Sequence, residues 1–299
     1  MLRKFELAGV WAVLLKGPST ARWLYDEGES RAYLDCDLLI APASGEAAAG
    51  ALQSLGYRRS FDDRSMPAWW REHAGVWVRD ADGMTVDLHS ALPGIGADGE
   101  SAWSVLSTDT DTVMVAGYRA PILALPARAL HVVLHAAQHG VGWARPIADL
   151  ERALAVGDDR LWITTAGLAE ALEATDAFAT GLRLCLAGTV LATRLGLSTQ
   201  RSADAELRAA SAPPLALGFE QLARADGNRA RLIIVWRKLV PPPDFVRHWD
   251  PRAAEGRLAL LRAYVWRPLW LLRRAPSGLG AWRRARRMVR DPTGRSPRR

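Results

Sequence analysis

Two cysteines in 299 residues, Cys36 and Cys185, exclude a disulfide framework and suit a reducing cytoplasm. No stretch approaches the roughly 18 consecutive uncharged apolar residues that a membrane-spanning helix needs. Arg3 and Lys4 precede "LAGVWAVLL", which has the look of a secretory signal core. Lys16 closes it, however, and no A-x-A cleavage pattern follows. The stretch is therefore read as a helix end and a buried strand, and a cytoplasmic location is expected. Internal repeats are absent. Lysine is scarce: Lys4, Lys16 and Lys238 are the only three, so arginine is the default base. Acids are nearly missing from the C-terminal end. Residues 257–299 hold thirteen arginines and one acid, Asp291, so this segment carries +12 of a net +7 and the preceding 256 residues carry −5. The high isoelectric point describes the tail, and the acidic balance elsewhere argues against a broad nucleic-acid footprint.

What is present is ordinary globular material, 49% hydrophobic and 24% charged, in a chain long enough for two domains. "VWAVLL" (10–15) reads as a buried strand. "KGPS" breaks it, and Pro18 suits the first turn of a helix through "STARWLYDEG". "AYLDCDLLI" (32–40) is a second strand. An Ala-rich helix follows, with Ser44 as its cap and Gly56 at its end. "GVWVRDADGMTVDLHSAL" alternates around Asp82-Gly83, a hairpin signal. Residues 1–92 thus form an α+β core. From residue 127 onward the periodicity is helical. The expected division is a core at 1–122, a helical domain at 123–240, a Pro-rich connector and basic helices at 241–290, and an unstructured tail at 291–299. The C-terminal segment "WRPLWLLRR", with Trp266 and Trp270, has three readings: a helix packed on its own protein, one in peripheral contact with an anionic membrane, or one that cradles a nucleic-acid strand.

Asp35 and Asp37 lie two residues apart in an apolar strand, so both side chains project from one face. Neighbouring carboxylates repel unless something compensates them. The hairpin supplies a third, Asp87 in "TVDLH". Three carboxylates on adjacent strands make an oxygen-rich cage for hard divalent cations, Mg²⁺ or Mn²⁺, and two such ions can activate an attacking oxygen and stabilise leaving pyrophosphate. Upstream, Gly17 stands at a strand-to-helix turn where backbone amides bind phosphate, with the Ser19 hydroxyl and the Lys16 charge beside it. His89 shares the face of Asp87, either as a neighbour of the site or as a phosphate contact. His131, His135 and His139 share one helix face. Zinc could bind such a row, but no cysteine or carboxylate completes a ligand pattern. The alternative is a face turned toward the sheet, with His131 or His135 touching substrate or an aspartate.

The motifs "LLKGPSTARWLY", "RAYLDCDLLI", "TVDLHSAL" and "LHVVLHAAQHG" resemble those of an uncharacterised bacterial nucleotidyltransferase family in the DNA-polymerase-β-like superfamily. The resemblance covers most of residues 11–155. It implies a small mixed-sheet nucleotidyltransferase core followed by a helical domain. It also implies Asp35 and Asp37 as metal ligands and Asp87 as the third carboxylate. Lys16, Gly17, Ser19 and Arg31 are candidate nucleotide-binding residues; Lys16 could equally be a salt-bridge partner of an aspartate, and Arg31 has a structural reading as well. The activity implied is transfer of a nucleoside monophosphate from an NTP, ATP by expectation, to an acceptor hydroxyl or phosphate on a small molecule, peptide or protein. The alternative is a member that binds nucleotide or a partner without turnover. Three departures stand out: Pro18 separates Gly17 from Ser19, Leu34 fills a position usually small, and Cys36 replaces an aliphatic residue.

Overall fold

The computed structural model describes residues 1–26, 28–29, 31, 33, 35–60 and 74–290. Leu34 and the tail at 291–299 lie outside them. By compactness the chain forms two units. The first comprises residues 1–60, 72–139 and 143–197, and the second comprises 61–71, 140–142 and 198–299. The compact boundary therefore falls after residue 197, whereas the change in sequence texture lies near 122.

The first unit is built on one mixed sheet. Its described strands are β1 (Ala12–Leu14), β2 (Asp35–Ile40), β3 (Tyr57–Arg59), β4 (Ala74–Arg79), β5 (Thr85–His89), β6 (Thr110–Val115) and β7 (Tyr118–Leu123), in spatial order β3-β4-β5-β2-β1-β7-β6. The two central contacts that matter for function are β1 antiparallel to β2 and β2 parallel to β5. The β4–β5 hairpin forms as expected around Asp82-Gly83, where Gly83 takes a φ of +69° that favours glycine. The hairpin β6–β7 and the short strand β3 were not expected. Pro121 sits inside β7, and proline within an apolar run weakens a strand reading because it cannot donate to the ladder.

Helices cover both faces. They are α1 (Leu2–Leu7), α2 (Pro18–Leu24), α3 (Gly45–Ser54), α4 (Gly99–Thr108), α5 (Leu125–His139), α6 (Ala144–Val156), α7 (Asp159–Ala171), α8 (Thr175–Leu182) and α9 (Leu186–Arg194). Ser44 precedes α3 but makes no side-chain cap bond, whereas Asp98 caps α4 by accepting from the Glu100 and Ser101 amides at 3.1 and 3.0 Å. Strand alternation divides the core. Leu14, Leu38, Ile40 and Val86 pack on the α1 and α3 side. Val13, Leu15, Leu39 and Leu123 face the other way and share a core with Leu130 and Val133 of α5, Trp162 of α7 and Phe178 of α8. Strands buried on both faces read as continuous apolar runs, which is why "VWAVLL" and "LLI" show no alternation.

The second unit is helical among its described residues: α10 (Ala203–Ala209), α11 (Pro214–Arg224), α12 (Gly227–Leu239), α13 (Pro243–Trp249) and α14 (Arg257–Arg290). The stretch expected as a Pro-rich connector contains α13, because Pro243 occupies a first-turn position where its missing N–H costs nothing. The basic helix runs for 34 residues despite Pro268 and Pro276. Buried Glu220 of α11 accepts hydrogen bonds from Trp282 Nε1, Arg286 Nε and Arg224 Nε, each at 2.9 Å, tying α14 to α11. No helix among the described residues is long and apolar enough to cross a membrane.

Candidate active site

The pairing of β2 with β5 sets Asp37 directly opposite Asp87, and Leu39 opposite His89. Residues in register share a sheet face, so Asp35, Asp37, Asp87 and His89 all project toward the side covered by α5. Asp37 is 1% exposed, Asp87 is half-buried, and Asp35 is exposed at the start of β2. Asp37 Oδ1 accepts a hydrogen bond from Lys16 Nζ at 2.7 Å and lies 3.0 Å from His89 Nε2. Its Oδ2 is buried and has no hydrogen-bond partner among the described residues. Ligand atoms of Asp37, Asp87 and His89 lie within 4.8 Å of one another. Asp35 is not one of that trio.

These surroundings drive the two carboxylates apart in basicity. Burial alone would raise Asp37, but the hydrogen bond from His89 and the Lys16 ammonium outweigh it and hold the group well below the usual carboxylate range. Asp87 goes the other way: burial raises it, and the charges on Asp37 and Asp35 raise it further against the opposing pull of His89. Cys36 points to the opposite sheet face, where burial, with Asp37 and Asp35 adding, pushes its thiol to about 12. A raised thiol pKa leaves little thiolate and so little reactivity.

Gly17 takes φ 63° and ψ −117° ahead of α2, and a Cβ there would lie 3.4 Å from the Tyr33 ring. The positive φ is what favours glycine there; the ring lies at ordinary van der Waals distance. Lys16 lines a cavity of about 300 Å³ together with Gly17, Tyr33, Asp35, Cys36 and Tyr118. Ser19 behaves differently from the expectation of an open phosphate contact. It is fully buried, and its Oγ has no hydrogen-bond partner among the described residues.

Arg31 is engaged by α6. Its Nη2 lies 2.7 Å from Asp149 Oδ2 with Nε 3.2 Å away, and Tyr25 donates to Asp149 Oδ1 at 2.7 Å. Both ends of the Arg31–Asp149 pair are almost wholly buried. Arg152, one turn further along α6, donates to the Leu24 carbonyl and to Glu29, and stacks over the Tyr25 ring. Asp149 had no local signal: in "IADLERAL" it looks like any polar position of an amphipathic helix.

His131 and His135 face the sheet, as their shared helix face implied. His131 is buried and bonds the Leu15 backbone; burial lowers it to about 3, the Lys16 charge acts in the same direction, and Asp37 opposes both. His135 is lowered strongly by burial, then by Lys16 and the neighbouring histidines. Ring centroids run 6.2 Å from His131 to His135 and 4.6 Å from His135 to His139. The row is therefore neutral imidazole beside the lysine. The metal-competent trio among the described residues is on β2 and β5, not on this helix.

A family model described as an uncharacterised nucleotidyltransferase matches residues 1–187. No curated protein matches the chain. Among solved structures, the antibiotic-resistance factor ANT(2'')-Ia in solution aligns at 14% identity over 56% of this chain and 87% of its own, with a TM-score of 0.41. The crystal structure of ANT(2'')-Ia with adenylyl-2''-tobramycin aligns at 15% identity over 56% and 92%, also with a TM-score of 0.41.

Proposed function

The chain belongs to this uncharacterised nucleotidyltransferase family, and from that membership we propose a metal-dependent transfer of a nucleoside monophosphate from an NTP, ATP in the first instance, to an acceptor hydroxyl or phosphate. The observation that carries the reading is the buried Asp37 Oδ2, which has no hydrogen-bond partner among the described residues while Asp87 and His89 offer ligand atoms within 4.8 Å. A buried carboxylate oxygen without a donor is costly unless a cation completes it. The carboxylates fit Mg²⁺ or Mn²⁺, with substrate phosphate oxygens as further ligands, while His89 Nε2 is already directed at Asp37 Oδ1. Asp35, Asp37 and Asp87 would hold the ions, with His89 supporting Asp37. When bound, such ions supply charge stabilisation at the transferring phosphate and its leaving pyrophosphate.

The chain's own groups perform the rest. Lys16 Nζ lies 2.7 Å from Asp37 Oδ1, so its ammonium can swing between that carboxylate and a substrate phosphate. Gly17 lets the backbone approach that phosphate without a Cβ in the way. Asp87, the more basic of the inner pair, accepts the proton of the acceptor hydroxyl. His131 and His135, neutral and sheet-facing, close the floor of the site and exclude water behind Lys16. Arg31, fixed by Asp149, holds the segment before β2 rather than reaching for phosphate.

Pyrophosphate release from each NTP, with Mg²⁺ and a cell extract as the acceptor source, tests this. Asp37→Asn and Asp87→Asn should each stay folded by circular dichroism and lose release by several orders of magnitude. Release equal to wild type from either variant would refute the assignment. One observation favours binding without turnover: Lys16 and His89 already satisfy Asp37 Oδ1. That reading predicts metal-dependent NTP binding by wild type and no pyrophosphate release from wild type or either variant.

A further inference from the structure

The helix α14 presents two very different faces over its first half. The inward face is fixed by Arg267, which is 4% exposed, donates from Nε to the Lys238 carbonyl at 2.9 Å, and stacks over Phe245 and Trp249. Ala263, one turn earlier on that side, is buried as well. At 100° per residue, the opposite side of the cylinder carries Leu258, Leu261, Val265, Leu269 and Leu272. All five are exposed, from 53% for Leu269 to 83% for Leu258. Trp266 lies at the border of the stripe, 48% exposed. Scattered surface leucines need no explanation, but five on one face of one helix make a continuous apolar stripe.

Charge decides what covers it. Between 257 and 290 the helix has ten arginines and no Asp, Glu or Lys. Arg257, Arg262 and Arg273 are exposed along the margins of the stripe. A second copy of the chain would bring a second arginine-only helix against the first, with no acid on either to compensate. An aqueous nucleic acid would satisfy the arginines but leave the leucines in water. A surface that is negative at its margin and apolar beneath satisfies both at once, and that is the headgroup boundary of an anionic bilayer. We propose that the outer face of α14, residues 258–272, docks this protein on anionic phospholipid membranes, lying in the interface with its leucines in the acyl boundary and its flanking arginines on the lipid phosphates. The helix lies on the membrane and does not span it.

Full-length protein is mixed with extruded vesicles of phosphatidylcholine alone, or of equal parts phosphatidylcholine and phosphatidylglycerol, and the bound fraction is measured by flotation. Wild type should float with the anionic vesicles and not with the neutral ones, and should be released as salt rises. Replacing Leu258, Leu261 and Val265 together by Gln should abolish flotation. Arg262→Gln and Arg273→Gln should each lower partitioning about fivefold at low salt. These positions are exposed, so unchanged helical circular dichroism verifies that the variants fold. Three results would overturn the proposal: no flotation of wild type, full flotation of the triple Gln variant, or a wild-type dimer in sedimentation velocity that the triple variant dissolves while vesicles never bind.

Discussion

At the scale of single residues, His131 has a measurable consequence. It is packed against β1 with Lys16, Asp37, His89 and His135 as its charged or titratable neighbours, and its folded value is about 3 against an ordinary 6.5. Below pH 6.5 the unfolded chain takes up a proton that the folded chain refuses, so the stabilisation is complete above that value and drains away as the pH falls toward 3. Its slope should approach about 1.4 kcal/mol per pH unit within that window. Urea unfolding of wild type and His131→Gln across the window checks this: the variant should lose that part of the slope, and an unchanged slope would mean that the imidazole is charged when folded. Much of the site at this scale was legible beforehand. Strand parity put Asp35 with Asp37 and Asp87 with His89, and the register of β2 with β5 brings the two pairs to one face. The inward turn of Ser19 was not legible, because burial depends on what packs over α2 rather than on the order of Gly17, Pro18 and Ser19.

At the scale of elements, α6 holds described residues of the segment after α2 through Arg152 and the buried carboxylate of Asp149. Asp149 accepts from both Arg31 and Tyr25, and its pair with Arg31 is shielded from solvent. Removing one partner of such a pair leaves a buried charge uncompensated, at a cost of about 3–5 kcal/mol, while replacing both by apolar groups restores most of it. Asp149→Ala should therefore lower the urea midpoint strongly, and Asp149→Leu with Arg31→Met should recover most of the loss. Additive losses in the double variant would show that the pair is not coupled. Elements defined by local pattern were readable: the D-G hairpin, the buried first strands and the histidine-bearing α5. Elements defined by partners were not. The strand β7 contains Pro121 and becomes a strand because β1 and β6 flank it, through Leu14 opposite Ile122 and Val113 opposite Ala120. No window of its own sequence carries that information.

At the scale of the whole molecule, the distribution of buried side chains says which part of the chain should stand alone. The layer above the carboxylate face draws Val13, Leu39 and Leu123 from the sheet and Leu130, Trp162, Phe178 and Leu191 from α5 to α9 into one cluster. The layer on the other face is complete by residue 122. Among the described residues, the remaining buried clusters, around Leu207 with Ala281 and around Val246 with Ala263, draw on residues after 198. A chain ending at residue 197 keeps both layers of the sheet, whereas one ending at 122 strips the face that bears Asp37 and Asp87. Exposing that many large apolar side chains, at about 1.5–3 kcal/mol each, exceeds the whole stability of an ordinary domain. Fragment 1–197 should therefore unfold cooperatively in urea and bind Mg·NTP with the affinity of the full chain, while fragment 1–122 should show no cooperative transition. Cooperative folding of 1–122 would mean that the helices from α5 onward are a separate body. Cooperative folding of 1–197 without nucleotide binding would move part of the binding site into residues 198–299.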